Sequence, residues 1–431
     1  MSVVEALSES GFDGGVSAGE DVDVVIFGAG PAGSVAAGTL ARAGRRVICL
    51  ERGYFPRHTI GESLLPRANE LLARAGLWDD VVRRGYIEKR GALFVRGDRR
   101  ERFCFADGLP GEPPFTFQVP RDDFDRTLAI GARRLGADVR FGHEVSEVTL
   151  DERGAEVVAI SEETGARVAI RARFVLDCSG PGRVLPRLLG GAREPGLATR
   201  AALFTMVEGD LRPEGELAGD IWVCIAEDAW LWIIPFSDGR TSVGAVGDPA
   251  RFDALVGTDR EKLHALVASA PGAAARLAKA VPVLRTMSLR AWSSAVTKLH
   301  GPGWAIAGNA GEFLDPVFSS GVTLALETGT LAAELADRTL AGETIDWDAH
   351  YEDPIRHAVA VFRAFVEGWY RGDVETIFFA PQRVTSVFRY ITSILAGHVR
   401  NEKNPLVRDA EGNIRRLARV IARGGNDWSA G

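Results

Sequence analysis

Val22-Asp23-Val24-Val25-Ile26-Phe27-Gly28-Ala29-Gly30-Pro31-Ala32-Gly33 is the stretch on which the reading of this chain turns. Its first six residues form a near-continuous apolar run, the pattern of a strand buried on both faces of a parallel sheet. An alanine-rich helical stretch follows to Gly44, and Arg46-Val47-Ile48-Cys49-Leu50 reads as a second strand ending on Glu51. In that strand–helix–strand context the GxGxxG spacing is a dinucleotide-binding fingerprint. Gly28 allows the tight turn, Gly30 lets backbone approach a pyrophosphate, and Gly33 lets the helix pack closely on the strand. The helix N-terminus then faces the phosphates. Glu51, 21 residues after Gly30, is spaced to accept ribose hydroxyls.

Further along, Phe117–Asp125 leads into a helix up to Leu135, and Gly136–Phe141 reads as a short strand. Alternating segments at 145–150, 155–160 and 167–171 suggest a small meander, and Phe174–Gly180 reads as a strand entering a turn. Residues 200–250 are strand-rich, with Trp222, Trp230 and Trp232; residues 259–281 are helical and alanine-rich. Gly303–Gly308 is one more strand, and the chain from Gly321 to about Arg423 is mostly helical. This order predicts an α/β protein: a Rossmann-like dinucleotide-binding domain with an inserted β-rich substrate domain and a C-terminal helical region. The expected boundaries are a disordered lead-in at 1–20, the nucleotide domain at 21–85 plus 136–190 plus 295–340, and the substrate domain at 86–135 plus 191–294. A helical region at 341–423 and a flexible tail at 424–431 complete it.

Composition narrows the class. The 431 residues carry 58 acidic and 51 basic side chains, a net charge of −7, so no general attraction to nucleic acid is expected. No apolar run approaches the 18 residues of a membrane helix, and the Ser/Gly-rich N-terminus lacks the basic start of a signal peptide. Cys49, Cys104, Cys178 and Cys224 are far apart, which fits a reducing cytoplasm and gives no metal site. Of the 51 basic residues only five are lysine: Lys89, Lys262, Lys279, Lys298 and Lys403. Lys89 is the only lysine in the first 261 positions. Lysine differs from arginine in being able to lose its proton when desolvated.

Three separated blocks then fall into one pattern: Gly28–Gly33, the strand end Asp177–Gly180, and Gly308-Asn309-Ala310-Gly311-Glu312-Phe313-Leu314-Asp315-Pro316. Together they resemble the FAD-dependent monooxygenase fold of p-hydroxybenzoate hydroxylase. Asn309 stands where that fold has an aspartate; it can hydrogen-bond but carries no charge. Within the fold the chain, over roughly residues 21 to 390, is similar to the flavin-dependent halogenases. Trp230-Leu231-Trp232-Ile233-Ile234-Pro235 matches their WxWxIP signature, and alternation along a strand puts both indoles on one side. Gly61-Glu62-Ser63-Leu64-Leu65-Pro66, then a helix, then Lys89 at the start of a strand, is the second match. Phe318 stands where tryptophan halogenases carry a glutamate, as in phenol and pyrrole halogenases.

The resemblance implies an enzyme that uses FAD as FADH2, with chloride or bromide as co-substrate. Cofactor contacts are implied at Gly28, Ala29, Gly30, Ala32, Gly33, Glu51, Arg52, Arg121, Val145, Gly308, Asn309, Pro316, Gly321 and Val322. A halide is implied at the backbone of Ser320 and Gly321, where a Ser-capped helix start offers N–H groups and a positive dipole end. Hypohalous acid would then pass behind Trp230 and Trp232 to Lys89, the catalytic residue, and an electron-rich phenol or pyrrole, free or carrier-protein-tethered, would be halogenated. Because Ser179-Gly180 replaces an Asp-Gly pair usual in NAD(P)H-using members, a separate NAD(P)H:flavin reductase is the expected partner. The alternatives are an aromatic hydroxylase or a double-bond reductase on the same fold, or a flavin-binding relative without turnover. The aromatic residues Phe362, Phe365, Trp369, Tyr370, Phe378 and Phe379 are expected either to cover the substrate pocket or to form plain core.

Overall fold

A computed structural model describes residues 17–57 and 59–424. The flexible tail expected at 424–431 lies outside these apart from Gly424, and so does most of the lead-in expected at 1–20. Residues 17–20 are not lead-in: the first strand runs Ser17–Phe27. It pairs in parallel with Arg167–Asp177, Ser17 opposite Val168, and Glu20 is bridged to Arg140 at 2.7 Å. Backbone pairing and an ion pair hold the polar start of this strand, where no apolar pattern announces it.

The central sheet is built on five parallel strands in the order Trp304–Ile306, Arg167–Asp177, Ser17–Phe27, Val47–Glu51, Asp138–Phe141. The fingerprint strand lies in the middle and is wholly buried over Val24–Ile26, as its unbroken apolar run requires. His143–Asp151 and Gly154–Ser161 add an antiparallel meander to Arg167–Asp177. A second sheet runs Val281–Pro282, Ala201–Glu208, Thr241–Gly247, Ala229–Pro235, Ile221–Ile225, Gly91–Arg96, Arg99–Cys104. Ile87–Lys89 and Thr116–Gln118 form a separate two-stranded ribbon, with Lys89 opposite Thr116. Lys89 thus closes a short strand rather than opening one; the next strand starts at Gly91.

The helix Arg121–Arg134 corrects the expected partition of 86–135. Its Phe124 and Leu128 share a core with Val35 of the fingerprint helix, and Ala129 and Ala132 pack with Ala36 and Ala37. It therefore belongs to the nucleotide-binding layer, while Gly91–Cys104 joins the second sheet. An amphipathic helix shows in sequence which face is buried, not which sheet it meets.

The fingerprint helix, Pro31–Arg42, is packed backbone to backbone on two sides. A Cβ on Gly33 would collide with the Gly28 carbonyl, and one on Gly329 would collide with the carbonyl of Ala32. Gly329 belongs to the long helix Ser320–Leu340. Gly329→Ala is expected to force these helices apart at a cost of about 1–3 kcal/mol. A denaturant midpoint equal to that of the parent chain would show that the contact is looser than described.

Candidate functional site

The carboxyl ends of the parallel strands open onto a cavity of about 1090 Å³. This is the crevice where doubly wound sheets bind their ligands. Gly28, Gly30, Ala32, Glu51, Arg52, Arg121 and Val145 line it, as do Gly308, Asn309, Pro316, Gly321 and Val322. Ala29 and Gly33 lie behind this wall: Ala29 N–H donates to Glu51 at 2.9 Å, and Gly33 meets Gly28. Ser320 is buried and the wall is formed instead by Ser319 and Gly321.

Glu51 accepts three hydrogen bonds, from Ala29 N–H, Gly53 N–H and Arg57 Nη1, between 2.9 and 3.0 Å. Its carboxylate is thereby fixed before any hydroxyl approaches. Arg121 is buried and held bidentately by Asp125 at 2.8 and 3.0 Å, with a further bond to the Ile60 carbonyl at 2.8 Å. It is not a surface ion pair but part of the cavity wall. Arg57 reaches the same aspartate at 3.8 Å.

The long helix Ser320–Leu340 also starts at the cavity, but not as a serine cap. Ser319, the N-cap residue, makes no side-chain cap hydrogen bond and stands in the left-handed region at φ 57°, ψ 22°. Such a backbone costs a non-glycine residue on the order of 1–2 kcal/mol. Within the preceding turn Asp315 caps Val317 N–H at 3.0 Å. The strained corner leaves the first backbone N–H groups of a 21-residue helix beside the cavity.

Trp230 and Trp232 do share a side, with ring centroids 6.0 Å apart, and both line the cavity. Each indole N–H is tied to a different wall. Trp230 Nε1 donates to the Tyr370 hydroxyl at 3.1 Å, which donates to Asp315 at 2.9 Å. Trp232 Nε1 donates to Ser242 Oγ at 3.0 Å. Arg200 covers the Tyr370 ring at 3.8 Å, and burial pushes the Asp315 carboxyl up to about 6. Asp315, Ser242 and Arg57 were not singled out from sequence as site residues, and Tyr370 was named only among the aromatic residues expected to cover the pocket or form core.

Lys89 is only 1% exposed and is not part of the cavity wall. Its Nζ donates to the Leu64 carbonyl at 2.8 Å and lies 5.3 Å from the Phe105 ring. Leu64 follows directly on Glu62 and Ser63, which do line the cavity. Among the described residues no carboxylate hydrogen-bonds to the amine. Burial pushes its pKa down to about 7, opposed only by the more distant Asp220, itself engaged by Arg102 and Arg90 N–H. Beyond Lys89, Phe318 packs edge-on against Phe365 and Trp369 at 5.9 and 5.8 Å, and Phe94, Phe103 and Phe378 continue the layer. The C-terminal aromatic residues are closed core here rather than the rim of an open pocket.

Away from the cavity, His300, Asp348 and Glu352 bring potential ligand atoms within 4.8 Å of one another. Lys298 and the Leu299 N–H already engage these carboxylates. Among the described residues no helix is long and apolar enough to cross a membrane.

Comparison with known proteins agrees with this geometry. Residues 21–343 match the FAD binding domain family. The chain is 33% identical over 327 residues to a tryptophan 2-halogenase of Chondromyces crocatus, covering 74% of this chain and 62% of that one. It is 30% identical over 381 residues to a 1H-pyrrole-2-carbonyl-[peptidyl-carrier protein] chlorinase of Pseudomonas fluorescens, covering 81% and 84%. A crystal structure described as a flavoprotein/dehydrogenase of Cytophaga hutchinsonii superposes with a TM-score of 0.91 at 39% identity, covering 94% of this chain and all of that one. The chain belongs to the flavin-dependent halogenase family.

FAD is the cofactor of that family, and the cavity fits it. The fingerprint helix presents an N-terminus with Pro31 in its first turn, no acidic residue there and no side-chain cap, open to a pyrophosphate. Arg52, Arg57, Arg183, Arg187 and Arg285 add positive charge around the cavity.

The Lys89 amine titrates near 7 in the folded chain against 10.5 for an ordinary lysine. Between those values the unfolded chain binds more protons, so this residue's contribution to stability rises with pH across that window. Lys89→Met is expected to raise the unfolding midpoint most at pH 7 and progressively less toward pH 10. A difference between variant and parent that does not change with pH would overturn this account of the amine.

Proposed function

We propose that the chain is a halogenase that installs chloride or bromide on an electron-rich pyrrole or phenol, free or tethered to a carrier protein. The observation that carries this is Lys89: a buried amine without a counter-ion, bonded to the residue next to the cavity wall. When bound and reduced, FAD supplies the activation of O2 that oxidises halide to hypohalous acid. The halide is held where the long helix opens, at the backbone N–H of Gly321, which forms the wall where Ser320 does not, helped by the helix dipole. Trp230 and Trp232, each pinned by its N–H, keep the aromatic substrate away from the flavin.

Lys89 serves in one of two balanced ways. As an amine it takes X⁺ from HOX, its own N–H proton leaving with the hydroxide as water, and passes X⁺ to the ring carbon, whose proton returns to the nitrogen. As an ammonium it gives a proton to the oxygen of HOX, which departs as water when the ring takes X⁺, and the ring proton then restores the ammonium. A pKa about 7 makes both forms available at neutral pH. The closed aromatic layer around Phe318 and Phe378 must part to admit the ring. Phe318 offers no carboxylate there, which suits a pyrrole or phenol better than the less reactive carbons of an indole. The carrier-bound pyrrole named for the Pseudomonas fluorescens relative supports that class.

A second reading is a flavin-dependent dehydrogenase or double-bond reductase. The description of the Cytophaga hutchinsonii protein and the closed surroundings of Lys89 favour it. Product mass separates the two. Purified chain, a flavin reductase, NADH, FAD and bromide with a panel of pyrroles and phenols is expected to give products with a bromine isotope pattern. Gain or loss of two hydrogens without halogen would establish the second reading.

Lys89→Ala is expected to keep FAD binding and to lower halogenated product by about 10²–10⁴-fold, the usual cost of a positioned proton donor or nucleophile. Lys89→Arg should rescue little, because arginine keeps the charge but forms no haloamine. Near-normal turnover by the arginine variant would eliminate the amine route. Electron supply is tested without substrate: NADH or NADPH alone should leave bound FAD oxidised, since Ser179-Gly180 replaces the Asp-Gly pair. Rapid anaerobic bleaching with no reductase present would rule out the two-component arrangement.

A further inference from the structure

Glu62 is a carboxyl for which the reading above has no task. It lines the flavin cavity, is 2% exposed, and its Oε1 is buried with no hydrogen-bond partner. The groups turned toward it are mostly donors. The backbone N–H groups of Gly61 and Glu62 are donors only, as is the Arg121 guanidinium. Ser242 uses its oxygen to accept Trp232 Nε1–H at 3.0 Å and has its own proton left for the carboxyl. A proton on Oε1 has no acceptor within hydrogen-bond distance among the described residues.

The surrounding elements carry little else that titrates. The helix Arg121–Arg134 presents Arg121, whose charge is matched bidentately by Asp125, with Arg57 at 3.8 Å from that aspartate. The strand Thr241–Gly247 presents Ser242, and the helix Ser320–Leu340 brings the uncharged Val322 to Gly61. Lys89, bonded to Leu64 two residues along, also titrates near neutrality.

We propose that Glu62 is the proton-exchanging residue at the aromatic end of the flavin cavity, where Trp230, Trp232 and Val322 also form the wall. As a neutral acid it points an O–H at the occupant of the cavity. On giving up that proton to an acceptor there, it becomes a carboxylate held by Ser242, the two backbone N–H groups and Arg121, and water returns the proton. Burial pushes the carboxyl up to about 7, so both states are within reach at neutral pH. The inference rests on the cavity being the flavin site and is independent of whether the product carries halogen.

The test uses the FAD-loaded chain without halide or substrate. Infrared difference spectra between pH 6 and 8.5 should show a protonated-carboxyl C=O band lost at high pH and missing in Glu62→Gln; the band of Asp315 stays in that variant. FAD binding measured by titration should weaken about tenfold across the same range in the parent chain, the effect of one pKa unit, and stay flat in Glu62→Gln. Lys89→Met should retain the slope. Ser242→Ala removes one donor to the carboxylate, so the carboxyl band should titrate at higher pH. A band unchanged in Glu62→Gln, an unchanged slope in that variant, a slope abolished by Lys89→Met, or an unshifted band in Ser242→Ala would each overturn the proposal.

Discussion

Bare backbone meets bare backbone on both sides of the helix Pro31–Arg42, and the site depends on that contact. Gly33 lets the helix lie directly on the turn at Gly28, while Gly329 lets the long helix Ser320–Leu340 lie directly on Ala32. Any side chain at either glycine would move one helix relative to the other. With both in place, two helix N-termini open onto one cavity, one at Gly30 and one at Ser319. Each turns a positive dipole end toward it. The strain at Ser319 belongs to the same constraint, since the chain must turn sharply to start the long helix so near the sheet. Close packing thus fixes the electrostatics of the cavity before any side chain contributes.

The tryptophan pair adds an aromatic wall to that fixed frame. An indole has one donor, and an unpaired buried N–H costs about 1–3 kcal/mol, so each ring needs an acceptor. Trp230 finds it on the C-terminal helix Asp353–Tyr370, through Tyr370, and by that route reaches Asp315 in the loop before the long helix. Trp232 finds it on the neighbouring strand, through Ser242. Because the two anchors lie on different elements, the wall cannot turn as one body. Aromatic area supplies the wall and two hydrogen bonds supply its pose.

The strand–helix–strand fingerprint, the parallel strands that follow it and the shared side of Trp230 and Trp232 were legible because each rests on spacing within a few residues. The start of the first strand at Ser17 was not, since Ser17–Asp21 carries no apolar alternation and is held by pairing and by Arg140. The membership of Arg121–Arg134 was hidden for a related reason: its apolar stripe fits either layer, and only the packing against Val35, Ala36 and Ala37 decides. Glu62 was visible as a residue of Gly61–Pro66 but not as a site. Its character comes from Arg121 and Ser242, far away in the chain. Tyr370 was legible as an aromatic residue at helical spacing, whereas its hydroxyl between Trp230 and Asp315 is a matter of three elements meeting.

The interior also explains why this arginine-rich chain places a lysine at position 89. Buried arginines here are matched with carboxylates: Arg121 with Asp125, and Arg276 with Asp210 through two bonds of 2.8 Å. An arginine keeps its charge when buried, so it must bring a partner. Among the described residues the carboxylate that bears on the titration of Lys89 is Asp220, and Arg102 and the Arg90 N–H already occupy it at 2.7 and 3.2 Å. A guanidinium at position 89 would be left with a carbonyl and an aromatic face. An amine avoids that penalty by shedding its proton. The features that make the position unsuitable for a permanent cation, burial and the lack of a free acid, are those that lower the pKa of a lysine there.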